Sequence, residues 1–122
     1  MILVDTSVWI DHLRHGNRRL VSLLNAGVVL IHPFIVGEIA LGHLRHRASL
    51  LNELGNLQQA SAATDEEVMH FIERQALYGT GIGYVDAHLL AATTLTSGTK
   101  FWSFDRRVHQ VALRLGLGHT GA

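Results

Sequence analysis

Apolar residues in this chain fall in short unbroken runs that alternate with longer stretches of helical spacing. Ile2-Leu3-Val4 is one such run, and it stops at Asp5-Thr6-Ser7, residue types that begin helices. Val8, Trp9, Ile10 and Leu13 supply the apolar face of a first helix. Leu20, Val21, Leu23 and Leu24 supply a second, after Gly16-Asn17, and Gly27 closes it. Val28-Val29-Leu30-Ile31 is continuous and rich in β-branched residues, the pattern of a parallel strand covered on both faces. Pro33 suits the first turn of the following helix, which carries Glu38.

The spacing predicts a further helical segment over 48–57 and a short strand or loop at Ser61 to Ala63. Thr64-Asp65-Glu66-Glu67 is a capping box that opens a helix running to about Tyr78. Gly79 to Gly83 is a glycine-rich break, and Tyr84 to about Thr96 again has helical composition, ended by Ser97-Gly98-Thr99. Lys100 to Phe104 reads as a strand with Asp105 at its carboxyl end, and Arg106 to Leu115 as a last amphipathic helix. This alternation predicts an α/β fold, a mainly parallel sheet flanked by helices, in one domain spanning residues 1–122.

Composition narrows the class. With 48% apolar residues, 16% charged and a single proline, the chain is neither a disordered tail nor a collagen-like repeat nor a coiled coil. The absence of cysteine excludes a disulfide framework, a thiolate zinc site and a cysteine nucleophile, and it points to a reducing compartment. An acid at position 5, no basic leader, and a longest apolar run of only Ala26 to Ile31 give the expectation of a cytoplasmic protein. Nine histidines include the helically spaced pairs His12/His15 and His43/His46, but no third ligand in recognisable spacing accompanies either pair. They read as solvated or partly buried side chains, although a histidine-rich surface gains positive charge below about pH 6.5.

The acids carry the candidate chemistry. Asp5 and Asp105 each follow a strand, and functional sites of open parallel sheets form at the carboxyl ends of strands. Glu38 and Asp86 interrupt otherwise apolar stretches, where an unpartnered carboxylate is costly. Each acid alone also reads as ordinary structure: Asp5 or Asp86 as a helix cap, Glu38 as a partner of Arg45 or Arg47, Asp105 as the cap of the last helix. Together the four are harder to explain this way. Carboxylates converging to about 4 to 5 Å repel by about 3 to 4 kcal/mol per closest pair, so a cation must offset them. Oxygen donors without thiolate favour Mg²⁺ or Mn²⁺, and such sites serve phosphate chemistry.

The same residues resemble a known family. Asp5-Thr6-Ser7-Val8-Trp9, Glu38-Ile39-Ala40-Leu41-Gly42, the run from Gly81 to Ala92 and Trp102-Ser103-Phe104-Asp105-Arg106-Arg107 look like the ordered blocks of PIN-domain nucleases, closest to the VapC-type toxins. The resemblance runs from Asp5 to the final helix, with successive acids 33, 48 and 19 residues apart. It implies a three-layer α/β/α domain whose acidic pocket of Asp5, Glu38, Asp86 and Asp105 binds Mg²⁺ or Mn²⁺ and hydrolyses RNA, without a covalent intermediate. It also implies a toxin of a type II toxin–antitoxin pair, a homodimer, and an antitoxin partner of the VapB kind. The chain departs from the pattern in its brief tail, Gly116 to Ala122, where many relatives have a further edge strand.

Around the acids, Ser103 is expected to hydrogen-bond a ligand or water, and Thr6 and Ser7 either cap the first helix or do the same. Arg106 and Arg107, next to Asp105, read as phosphate contacts or as solvated arginines at a helix start. Two other functions compete. A small Mg²⁺-dependent phosphatase of the haloacid dehalogenase kind also starts with an aspartate after its first strand, but it wants a second one where Ser7 stands. A non-catalytic RNA- or protein-binding module on the same fold is disfavoured by the retention of all four acids.

Charge gains meaning only then. The chain has ten bases and ten acids, with halves of +2 and −2, and the bases are nine arginines and Lys100. Setting aside four acids that face a cation leaves six against ten, a phosphate-seeking surface of about +4.

Overall fold

The computed structural model describes residues 1–120. Four strands, β1 (Ile2–Val4), β2 (Val29–Ile31), β3 (Gln58–Gln59) and β4 (Lys100–Trp102), form one parallel sheet in the order β3-β2-β1-β4. Every residue of β1 and β2 is buried, although successive side chains point to opposite faces. Helices therefore cover both faces of the sheet, as the continuous apolar runs require. They are α1 (Thr6–His15), α2 (Arg18–Asn25), α3 (Pro33–Ala40), α4 (Arg47–Gly55), α5 (Asp65–Arg74), α6 (Tyr84–Leu95) and α7 (Arg106–Arg114). α1 packs on α3 and α3 on α4, α5 pairs with α6, and α6 and α7 both contact β4. The expected three-layer α/β/α arrangement is the one observed.

Local chemistry accounts for most boundaries. Thr64 and Glu67 form the reciprocal capping box, with the Glu67 amide 3.1 Å from Thr64 Oγ1 and the Thr64 amide 2.9 Å from Glu67 Oε1. Asn17 caps α2 by accepting from the Leu20 amide at 2.9 Å. β3 lies at Gln58–Gln59, upstream of the Ser61 to Ala63 expected from composition. Both glutamines are exposed on the edge of the sheet, where backbone pairing with β2 holds the strand and apolar side chains are not required. α5 stops at Arg74, short of Tyr78, because Ala76 takes a left-handed backbone (φ 51°) that no helix continues through.

At the other edge the tail adds a single rung. Phe101 bridges Gly118 in parallel, donating to Leu117 O at 2.7 Å and accepting from the His119 amide at 2.9 Å. A Cβ at position 118 would stand 2.6 Å from Leu113 Cδ2, so a side chain there would have to displace Leu113. The last two residues of the tail lie outside the described residues.

Candidate metal centre

The carboxyl edge of the sheet gathers the four acids from four elements. Asp5 ends β1 and stands before α1, Glu38 is on α3, Asp86 is in the first turn of α6, and Asp105 precedes α7. Asp5 is buried, Asp86 half-buried, and Glu38 and Asp105 exposed. β4 is locked to this edge by the Asp5 amide, which donates to Trp102 O at 2.9 Å.

Each carboxylate has its own tether. Asp5 does not cap α1 with its side chain. Its Oδ2 accepts instead from Ser103 Oγ at 2.7 Å and Ser7 Oγ at 3.0 Å. Ser7 Oγ in turn accepts from the Phe104 amide at 3.0 Å, and Ser103 Oγ from the Asp105 amide at 3.0 Å. Thr6 Oγ1 donates to Glu38 Oε1 at 2.7 Å. Thr6 and Ser7 thus serve the acids and not the start of α1, and Ser103, as expected, hydrogen-bonds one of the candidate ligands, Asp5. Asp86 Oδ2 accepts from the Gly83 amide at 2.9 Å, and Asp105 Oδ1 caps α7 by accepting from the amides of Arg107 at 3.0 Å and Val108 at 3.3 Å. Glu38 is not paired with Arg45 or Arg47; Arg47 donates to the carbonyls of Ala40 and Gly42.

Among the described residues, the second oxygen of every one of these four carboxylates accepts no protein hydrogen bond. Nor, among the described residues, do any three acid or histidine side chains close into a ready cation cage. Each acid is held by a tether of its own, while like charges on one sheet edge repel unless a cation offsets them. They still share one field. Burial pushes the Asp86 carboxyl above its ordinary value and the charges of Asp5, Asp105 and Glu38 push it further, against the pull of the Gly83 amide. An all-oxygen set with excess negative charge and four unbound oxygens fits a hard divalent cation, with small shifts needed to bring the ligands in.

Arg106 and Arg107 line a cleft of about 350 Å³ together with Asp86, Asp105, Gly81 and Ile82. Neither arginine is ion-paired among the described residues.

The profile of the PIN domain matches residues 2–113. The chain belongs to the PIN-domain family. Over 117 residues it is 42% identical to Ribonuclease VapC32 of Mycobacterium tuberculosis, in both strain CDC 1551 / Oshkosh and strain ATCC 25618 / H37Rv, covering 96% of this chain and 94% of the relative. It is thereby one of the VapC-type PIN ribonucleases. In three dimensions this PIN domain resembles FitAcB from Neisseria gonorrhoeae, with a TM-score of 0.61 at 22% identity over 92% of this chain and 93% of that one. It also resembles FitAB bound to an IR36 DNA fragment, with a TM-score of 0.62 at 19% identity over 92% and 90% of the two chains. These two likenesses carry the fold.

Two histidines escaped the sequence reading of this PIN domain. His32 and His88 are both buried. Their rings flank Phe34, with centroids 5.0 and 4.8 Å from its own. His32 Nδ1 accepts from the Phe34 amide at 3.0 Å, which leaves the proton of the neutral ring on Nε2. His88 Nε2 donates to Asp65 Oδ1 at 3.0 Å. Two buried ring nitrogens, His32 Nε2 and His88 Nδ1, are thus without a hydrogen-bond partner among the described residues. Burial holds the His32 ring below its ordinary pKa, and nearby His88 adds to the effect. The only sequence signal was position: His32 ends the β2 run just before Pro33, and His88 follows Asp86 by two.

Proposed function

We propose that the chain is the toxin of a type II toxin–antitoxin pair and a Mg²⁺- or Mn²⁺-dependent endoribonuclease acting through Asp5, Glu38, Asp86 and Asp105. The observation that carries this reading is the gathering of four acids from four elements at the carboxyl edge of a parallel sheet, close enough for Asp86 to feel the other three. The relatives named ribonuclease support RNA as the substrate.

When bound, the divalent cation supplies positive charge against that developing on the phosphate and makes water a stronger acid. Asp5 and Asp86 are the principal ligands, and Glu38 and Asp105 complete the set directly or through water. Ser7 and Ser103 hold Asp5 by one oxygen and leave the other without a protein hydrogen bond among the described residues, and Thr6 does the same for Glu38. Arg106 and Arg107, unpaired in the adjoining cleft, receive substrate phosphates. A phosphatase of the haloacid dehalogenase kind lacks support, since Ser7 occupies the place of its second aspartate and is committed to Asp5.

The partner is an antitoxin of the VapB kind. A groove of about 430 Å³ beside α1 and α4, with Ile10, Leu13, Leu44 and Leu50 inside and Arg14 and Arg45 among its walls, supports a segment with apolar anchors and acidic flanks. The active unit is a cytoplasmic homodimer; among the described residues no helix is long and apolar enough to cross a membrane. Size-exclusion chromatography giving a strict monomer would refute the dimer.

The deciding experiment incubates total RNA with purified protein and Mn²⁺ or Mg²⁺, with and without EDTA. Wild type cleaves and EDTA stops it, while Asp5→Asn remains folded and is inactive. Retained metal-dependent cleavage by Asp5→Asn overturns the site.

A further inference from the structure

The turn between α5 and α6 separates two clefts that share Gly81 and Ile82 as a common wall. On one side lies the charged cleft of Asp86, Asp105, Arg106 and Arg107. On the other lies a cleft of about 230 Å³ whose walls include Ile72, Leu77, Tyr78, Tyr84 and Ala87. That volume falls below the about 300 Å³ at which pockets for whole ligands begin, and it suits a single planar ring system.

The wall between the clefts is low by construction. Gly81 has φ +86°, and a Cβ there would stand 3.0 Å from Arg107 Nη1 and 3.1 Å from its Cδ. The arginine therefore lies directly on the turn backbone. Its guanidinium donates to no described residue and pairs with no described acid, although two carboxylates share its cleft. The two tyrosines differ in freedom. Tyr84 is 46% exposed but pinned, its hydroxyl donating to Asp65 Oδ1 at 2.9 Å and its ring edge-on to His88. Tyr78 is 66% exposed, without such a tether among the described residues.

We propose that this turn seats one nucleotide of the RNA, with its base against Tyr78 and Tyr84 and its phosphate reaching over Gly81 to Arg107 at the edge of the carboxylate cleft. This assignment rests on the ribonuclease reading and deepens it. Proteins that grip single-stranded RNA combine an aromatic face, on which a base stacks, with a cation that holds the adjoining phosphate. Here one aromatic wall is fixed and one is free to close, and the cation is on the far side of a wall only one glycine thick. The charged cleft adjoins the aromatic one across Gly81 and Ile82, which places the seated nucleotide beside the carboxylates.

The test measures binding without cleavage. The full chain, in EDTA, is titrated against a fluorescein-labelled single-stranded dodecamer of uridine and followed by anisotropy. Tyr78→Ala weakens binding by about tenfold and leaves the salt dependence unchanged, while Tyr78→Phe keeps wild-type affinity. Arg107→Gln weakens binding and reduces the slope of log affinity against log salt by about 0.7. An abasic site moved along the dodecamer reproduces the tenfold loss at one position with wild-type protein, and costs Tyr78→Ala nothing further there. This arm works from the ligand side, so it decides the question even where a variant fails to fold.

Wild-type affinity in Tyr78→Ala, or an abasic scan with no sensitive position, overturns the seat while metal-dependent cleavage leaves the ribonuclease reading standing. If Tyr78→Ala impairs only the capture of a protein partner, the seat is equally overturned. A wild-type chain that neither binds nor cleaves RNA overturns both.

Discussion

Two carboxylates meet opposite fates around the first turns of α6. Asp86 projects from the helix toward Asp5, Glu38 and Asp105, and burial together with their charges lifts its carboxyl above the ordinary value. Asp65, at the start of α5, is held by Tyr84 and His88, which lie two residues before and two after Asp86. The Tyr84 hydroxyl, and then His88, pull its carboxyl below the ordinary value. One carboxylate is satisfied and costs the fold nothing, while the other is under-satisfied and held in place by a neighbouring amide. A group kept in a state that it would not choose in isolation is a candidate for function, whereas a satisfied group is structural.

The comparison can be broken from either side. The largest effect is expected at the support of the acids: Ser103→Ala removes the 2.7 Å donor to Asp5 and is expected to lower metal-dependent RNA cleavage by about 10- to 100-fold. The check is the cleavage rate at saturating and limiting Mn²⁺, where the loss shrinks as the metal saturates.

Next comes Asp86→Asn. A raised folded pKa means that the folded state binds the proton more tightly, so stability falls as pH rises from the ordinary value near 3.8 through the raised one. In metal-free buffer at pH 7 the substitution is therefore expected to raise Tm by about 3 °C. The gain fades on acidification and is gone below pH 3.8. Added Mn²⁺ reverses the order, since it stabilises wild type and not the variant. Differential scanning fluorimetry across pH, with and without Mn²⁺, checks all of these points.

Smallest is Asp65→Asn. Here the folded pKa is lowered, so the contribution is complete above the ordinary value near 3.8 and is lost only as pH falls through the lower folded value. The amide still accepts from Tyr84, and Asp65 is exposed, so a slight fall in Tm is expected at pH 7 with cleavage unchanged. The penalty persists at pH 4, where the benefit of Asp86→Asn is already fading. Equal signs for the two substitutions at pH 7 would erase the distinction between them.

Much of the site was legible because its signals are local. Asp5 and Asp105 follow apolar strand runs, and Glu38 and Asp86 stand out as lone charges in apolar surroundings. The Thr64 capping box needs only four consecutive residues. What stayed hidden depended on partners distant in sequence. Thr6 and Ser7 look like helix-starting residues, and only folding brings Glu38 to one and Phe104 to the other. Ser61 to Ala63 is loop, one of its two expected states, and β3 went unforeseen because an edge strand is held by its backbone, so Gln58 and Gln59 carry no apolar signature. His32 and His88 were lost among nine histidines because burial, which sets them apart, is not a property of residue type.

By itself the sequence determined the order of elements, the parallel architecture and which acids stand at strand ends or alone in apolar stretches, since hydrophobic period, capping and strand ends are read over a few neighbouring residues. The tertiary structure alone decided which hydroxyl holds which carboxylate, which acids share the field at Asp86, and that Arg107 lies against Gly81 without a partner among the described residues. Hydrogen bonds and Coulomb fields follow distance through space, and the bond from Ser103 to Asp5 spans 98 positions along the chain.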